Sequence, residues 1–350
     1  MNITMIGTGS FGTSLSMILD SNNHHVLMYG RNKSTVQEIN KDHTNKNYLK
    51  DITLSETIKA TDDLKDAIKH GDILILAVPV KAVRTVSKQI NDYLNELDKQ
   101  VLICHVAKGL ELGTHKRVSE IIIEEIDEKN YTDVAILSGP SHAEEIALKQ
   151  PTTVSTASIN KIGQKQIQDI FINKYFRVYE NNDLIGVEVG GALKNIIALG
   201  IGILDGLGFG DNTKSAVITR GLHEIARLGT KMGANPLTFM GLTGVGDLIV
   251  TAMSEHSRNF RCGKMLASGQ SLDDIVENMG MVVEGVNTTK AAYELAKIHD
   301  VDMPITNVLY EYLFESISET DALISLMMRE RKSETEGLLE IMRNHLEAEK

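Results

Sequence analysis

Cysteine is scarce in this 350-residue sequence: Cys104 and Cys262 lie far apart, with no CxxC pair and no His/Cys cluster at zinc spacing among the 11 histidines. That excludes a disulfide scaffold, gives no metal a place in the reading, and fits a reducing, cytoplasmic setting. Positive charge is also short. Lys plus Arg number 36 against 47 Asp plus Glu, a formal net charge of −11, so attraction to nucleic acid or to an anionic membrane is opposed and neither is an expected partner. Any anionic ligand must therefore meet locally placed cations. The first residues, Met1 to Ile6, carry no basic region and no long apolar run, and do not read as a signal peptide. The longest apolar-rich stretch, 187–207, contains Lys194, Asn195 and Asp205. These argue for a buried helix rather than a membrane span or insertion. No internal repeat is present.

With 42% hydrophobic residues over 350 positions, the chain has more apolar material than one core usually serves, so two domains are expected. The first half alternates short apolar runs (2–6, 25–29, 72–78, 101–106, 134–137) with helix-period segments such as 10–20. That is the pattern of βαβ units, an α/β doubly wound, mainly parallel sheet. From about Asn182 the strand-like runs stop, and 213–232, 286–299 and 305–316 read as helices separated by glycine-rich turns. The expected division is 1–181, an all-helical 182–331, and a charged tail 332–350 whose Leu338, Leu339, Met342 and Leu346 form a thin apolar stripe at helical spacing.

The chemistry-bearing motifs begin with Gly7-Thr-Gly9-Ser-Phe-Gly12, a G-x-G-x-x-G between an apolar strand and a helical segment, the context of a dinucleotide fingerprint. Its glycines let backbone approach a pyrophosphate at the helix N-terminus, where Ser10 and Phe11 sit. A glycine-rich turn without a ligand is the alternative. The second strand ends in Gly30-Arg31-Asn32, where an NAD-selective site commonly carries Asp or Glu. Arg31 suits a 2′-phosphate, and so favours NADPH, or is a surface arginine. Lys108, in Val106-Ala-Lys108-Gly109, closes a parallel strand and points toward the usual ligand crevice, unless it is merely solvated. Ser138-Gly-Pro-Ser141-His-Ala143 is a tight loop whose N–H groups suit a ligand or simply turn the chain.

Lys194 lies in a segment apolar nearly all round, so it is buried and either structurally satisfied or functional. Desolvation favours its neutral amine and makes it the best acid–base candidate. Asp247, in Gly244-Val-Gly246-Asp247, opens an apolar helix as an N-cap or a site residue. Ser257-Arg258-Asn259 at an expected helix start suits a phosphate dianion or an ordinary cap. In Val282-Val-Glu284-Gly285, Glu284 reads first as a solvent-facing acid of a first helical turn.

The blocks GTGSFGT, AKGLE, LSGPSHAEEIA, GGALKNIIALGIGILDGLGFGDNTKSAVITRGLHEIARLG, GLTGVGDLIVTAMSEHSRNFRCG, VVEGVNTT and MPIT occur in that order. Together they resemble the bacterial NAD(P)-dependent glycerol-3-phosphate dehydrogenases from Met1 to about Arg331. The resemblance implies a Rossmann domain followed by a helical domain similar to that of 6-phosphogluconate dehydrogenase, with catalysis between them. It implies interconversion of dihydroxyacetone phosphate and sn-glycerol 3-phosphate, a small-molecule substrate whose product feeds phospholipid synthesis. It makes Lys194 the proton donor or acceptor. Lys108, Gly139, Ser141, Asp247, Ser257, Arg258 and Asn259 would bind substrate. Gly7, Gly9, Ser10, Phe11, Gly12, Arg31, Asn32, Lys108, Ala143, Arg258, Val282 and Glu284 would bind NADP or NAD. Two departures stand out: Phe11 replaces the tryptophan of many relatives, and the tail runs past the usual end. Two other readings stay open, a related dehydrogenase of a hydroxy acid or ketopantoate-like substrate and a catalytically silent dinucleotide-binding sensor. Oligomeric state is open too, a homodimer being the working expectation.

Overall fold

A computed structural model describes residues 1–279, 283–331 and 333–334; most of the tail lies outside this range. The chain forms two compact units, the first made of Met1–Lys108 and Val118–Leu184, the second of Gly109–Arg117 and the chain from Ile185. The transfer of 109–117 to the second unit has a local cause. Arg117 pairs with Glu188, which is buried, His115 Nε2 meets Glu294 Oε2 at 2.6 Å, and Leu110 joins the second unit's core. Their partners lie 71 and 179 residues along the chain, beyond any spacing argument.

In the first unit, strands β1 (Asn2–Ile6), β2 (His25–Tyr29), β5 (Lys59–Thr61), β6 (Ile73–Leu76), β7 (Val101–His105), β8 (Tyr131–Ser138), β9 (Thr152–Ser158) and β10 (Phe176–Glu180) form one sheet in the order β10-β9-β8-β7-β6-β1-β2-β5. A small hairpin joins β3 (Thr44–Asn45) to β4 (Leu49–Thr53). Neighbours in the sheet run parallel except β8 with β9. The central strands β6 and β7 are buried at every position, as a parallel sheet covered on both faces requires. Alternation along β1 sends Ile3 and Met5 into one apolar layer and Ile6 into the other.

The strands β5, β9 and β10 and the hairpin were not expected. The strand β9 reads Thr-Thr-Val-Ser-Thr-Ala-Ser and is nonetheless largely buried, because β-branched threonines fit a pleated surface without forming an apolar run. A search for apolar runs passes over it.

The described secondary-structure elements of the second unit are helices. Its centre is the helix Leu184–Gly206, buried from Gly186 to Ile203. It is long and apolar enough to cross a membrane by composition, yet it lies inside the unit. Around it stand Asp211–Lys231, Arg258–Ala267, Glu284–Ile298 and Pro304–Tyr310. A Cβ at Gly202 would strike the backbone carbonyl of Phe260, and one at Gly263 the carbonyl of Leu199. The central helix and Arg258–Ala267 therefore approach backbone to backbone, with Asn259 hydrogen-bonded to Asn195. The expected helix 305–316 instead stops at Tyr310 and continues as a π-helical turn, Glu311–Glu315.

Glu224 is buried on the helix Asp211–Lys231 and accepts from Ile305 N at 2.6 Å, Thr306 N at 3.1 Å and Thr306 Oγ1 at 3.0 Å, closing the start of Pro304–Tyr310. Burial outweighs these donors and raises its carboxyl from 4.5 to about 7. Between those values the folded chain holds the proton more tightly than the unfolded chain, so stability falls as pH rises through that window, by on the order of 3 kcal/mol. Urea unfolding across this range should show that slope in the native chain. It should vanish in Glu224→Gln; an unchanged slope in the variant would assign the dependence elsewhere.

Candidate active site

The turn from β1 into the helix Ser10–Ser21 is shaped by three glycines in different ways. Gly7 has φ +129°, and a Cβ there would strike the carbonyl of Ala77. A Cβ at Gly12 would lie 2.7 Å from the Gly7 carbonyl oxygen, so this position serves close packing. At Gly9 a Cβ would meet nothing within 4 Å. That open face over a helix start with no side-chain cap is what a pyrophosphate needs: free backbone N–H donors and room to approach them. Buried Asn45 supports the turn, its Nδ2 donating to Thr8 O at 2.8 Å and Thr13 Oγ1 at 2.9 Å. Ser10 Oγ donates to Tyr48 O at 3.0 Å. Phe11 packs against a small cluster of Leu49, Ala143 and Ala147, which brings two of the expected cofactor contacts together.

At the end of β2, Gly30 lies against Thr8 of the same turn, so exposed Arg31 leaves the sheet beside the glycine loop. Asn32 has a structural duty. Its Oδ1 accepts from Ser34 N at 2.9 Å and Thr35 N at 3.4 Å, capping the helix Lys33–Asp42. Beyond β7, Lys108 Nζ donates to Gly139 O at 2.9 Å, and Ser141 Oγ donates to the same oxygen at 2.8 Å. Gly139 has φ +142°, and a Cβ there would sit 3.0 Å from Val154 Cα. Three expected substrate contacts thus form one cluster at the C-terminal ends of β7 and β8.

In the second unit, Lys194 and Asp247, 53 residues apart in sequence, form a buried ion pair. Lys194 Nζ also donates to Thr251 Oγ1 at 2.7 Å, and that hydroxyl donates to the Asp247 carbonyl at 2.6 Å. The N-cap alternative for Asp247 fails. Gly246 before it already has helical backbone at the end of a π-helical turn, and the aspartate side chain turns inward with 1% exposure. Burial alone favours a neutral Lys194, and the carboxylate beside it opposes that by stabilising the ammonium.

A second chain of bonds runs alongside. Asn259 Nδ2 donates to Asn195 Oδ1 at 2.8 Å, and Gly285 N donates to Asn259 Oδ1 at 2.8 Å, tying three helices together. Ser257 caps its helix by accepting from Phe260 N at 3.2 Å, leaving Arg258 exposed at the first helical position. Glu284 is half-buried at the start of Glu284–Ile298, and Val282 lies outside the described residues. Asn195, Thr251 and Asn45 were not singled out from sequence. The signals for the first two were a polar residue in an apolar helix and a hydroxyl four residues after Asp247; Asn45 offered none.

Residues 2–163 match the family description NAD-dependent glycerol-3-phosphate dehydrogenase N-terminus, and residues 183–324 the C-terminus description. The chain belongs to this glycerol-3-phosphate dehydrogenase family. It is 57% identical over 334 residues to glycerol-3-phosphate dehydrogenase [NAD(P)+] of Macrococcus caseolyticus, covering 95% of this chain and 100% of that one. The protein of that name from Staphylococcus aureus N315 is 55% identical over 332 residues, covering 95% and 99%. The crystal structure of glycerol-3-phosphate dehydrogenase from Coxiella burnetii superposes with TM-score 0.87 at 34% identity, covering 93% of this chain and 98% of that one. Within the family, the Lys194–Asp247 pair supplies a test that needs no substrate. Losing one charge should leave the other buried without its counter-ion and cost about 3 kcal/mol or more, whereas losing both should cost much less. Urea unfolding of Asp247→Asn, Lys194→Met and the double variant gives the cycle; additive losses would mean that the two side chains do not depend on each other.

Proposed function

We infer that this chain catalyses reversible hydride transfer between NAD(P)H and dihydroxyacetone phosphate, giving sn-glycerol 3-phosphate. The observation that carries the reading is a lysine ammonium held in an apolar core by a carboxylate and a threonine hydroxyl. Such a group is too costly to keep for packing alone and is suited to moving a proton.

The fit to a dinucleotide rests on the open face at Gly9, the uncapped start of Ser10–Ser21 and the adjoining Arg31. Gly7 and Gly12 shape that turn, Ser10, Phe11 and Ala143 border it, and Arg31 and Asn32 would meet the ribose end. When bound, the nicotinamide supplies the hydride that reaches the substrate's carbonyl carbon. The carbonyl oxygen then gains an electron pair and needs a proton, which Lys194 donates. Asp247 and Thr251 hold Nζ in place and stabilise the charged amine before transfer; in the reverse direction the neutral amine takes the proton from the hydroxyl. Arg258, at a helix start with Ser257 and Asn259, supplies charge and N–H donors for the substrate phosphate. In the first unit, Lys108 with Gly139 and Ser141 would offer a cation and hydrogen-bonding groups of its own to a ligand. Binding at the phosphate orients a small substrate for reaction. The product is the backbone of glycerophospholipids, and the net charge of −11 with two buried free thiols suits a cytoplasmic enzyme.

Nicotinamide absorbance with dihydroxyacetone phosphate should show turnover that falls about 10²–10⁴-fold in Lys194→Ala and is nearly absent with dihydroxyacetone, which lacks the phosphate. No turnover in folded, dinucleotide-binding protein would overturn the assignment and favour a silent sensor. In the same assay Arg31→Asp should lower kcat/KM for NADPH by about tenfold or more, the scale of a charge-assisted hydrogen bond, and leave NADH little changed. Equal losses with both cofactors would remove the preference for NADPH.

A further inference from the structure

The hairpin β3–β4, between the helix Lys33–Asp42 and β5, stands outside the main sheet, and none of the residues expected to touch a cofactor or substrate lies in it. It grips the glycine turn at three places. Asn45 Nδ2 donates to Thr8 O at 2.8 Å and to Thr13 Oγ1 at 2.9 Å, and Tyr48 O accepts from Ser10 Oγ at 3.0 Å. Leu49 and Ile52 belong to the apolar cluster against which Phe11 packs. Residues 8, 10, 11 and 13 are thus each held from the hairpin, while Gly9 among them keeps its open face.

The contact at Thr8 is the one that bears on a ligand. The peptide joining Thr8 to Gly9 is trans and planar, so its carbonyl and its N–H point in opposite directions. Asn45 is buried, and by holding the carbonyl from the buried side it turns the Gly9 N–H the other way, toward the open face. The asparagine has a frame of its own. On either side of it, Thr44 Oγ1 and Lys46 N donate to Glu38 Oε1 at 2.9 Å and 2.8 Å, and Glu38 lies on the helix capped by Asn32. Stability alone does not explain the residue, because Asn45 Oδ1 is buried and meets no donor among the described residues, an arrangement that costs free energy. What the amide supplies here is a pair of N–H bonds to the turn. An aspartate would instead set an acceptor against the Thr8 carbonyl.

We propose that Asn45 is a positioning residue for the dinucleotide: it fixes the Thr8–Gly9 peptide so that the Gly9 N–H faces the pyrophosphate, and Glu38 acts through it by fixing the hairpin. This role rests on the glycine turn being the dinucleotide site and is independent of which substrate the enzyme takes. The pyrophosphate is common to NADH and NADPH, so Asn45 governs affinity for both alike, whereas Arg31 would decide between them.

Nicotinamide fluorescence measures the binding of NADPH and of NADH with no substrate present. In Asn45→Asp and Asn45→Ala, each checked for native far-ultraviolet dichroism, Kd should rise at least about tenfold, the scale of one lost hydrogen bond, and by the same factor for both dinucleotides. In turnover the KM for the dinucleotide should rise while kcat changes little. Glu38→Ala should raise Kd severalfold in the native chain and add nothing in the Asn45→Ala background. A Kd within about twofold of native in a folded Asn45 variant would overturn the role. So would a loss confined to NADPH, or a Glu38→Ala effect undiminished in the double variant. A native chain that binds neither dinucleotide would overturn the reading of the turn itself, and this role with it.

Discussion

A lysine ammonium cannot be taken out of water without a partner, and the helical unit is organised around meeting that demand. Lys194 lies on a helix buried from Gly186 to Ile203, so its charge must be answered from outside that helix. The answer comes from Asp247 and Thr251, one turn apart on a short helix that a π-helical turn delivers. A side chain at Gly244 would disturb the approach, because its Cβ would strike the backbone of Phe239. A separate backbone contact, at Gly202 and Gly263, accompanies the hydrogen bond from Asn259 to Asn195. Lys194 and its partners are thus held by packing that tolerates little change.

The first unit solves a different problem, the binding of an anion by a chain of net charge −11. What its glycine turn offers is backbone rather than a field of cations. The glycine turn leaves N–H groups exposed at a helix start, Asn45 fixes the turn from behind, and Lys108 and Arg31 add charge at single points. Local donors suffice because anion binding at a helix terminus acts over a few ångströms, where overall charge is screened.

Buried carboxylates show how much such a core can hold apart from the chemistry. Glu188 answers Arg117 and thereby draws 109–117 into the helical unit, while Glu224 ends a helix by accepting its first N–H groups. Each substitutes for a local cap or a surface pair, and each depends on a residue far away in the chain.

By itself the sequence determined the class of fold, the place of the glycine turn, the change from strands to helices near residue 182, and most of the candidate residues. These follow from local rules: periodicity, glycine spacing, and a lysine in an apolar segment. The Ser/Thr-rich strand β9, the allegiance of 109–117, and the support by Asn45, Asn195 and Thr251 stayed hidden, because their reasons lie in neighbours distant along the chain. Whether Asp247 was a cap or a counter-ion was likewise decided only in three dimensions. Both readings suit an acid at a helix start, and only burial against Lys194, 53 residues away, makes one of them energetically necessary.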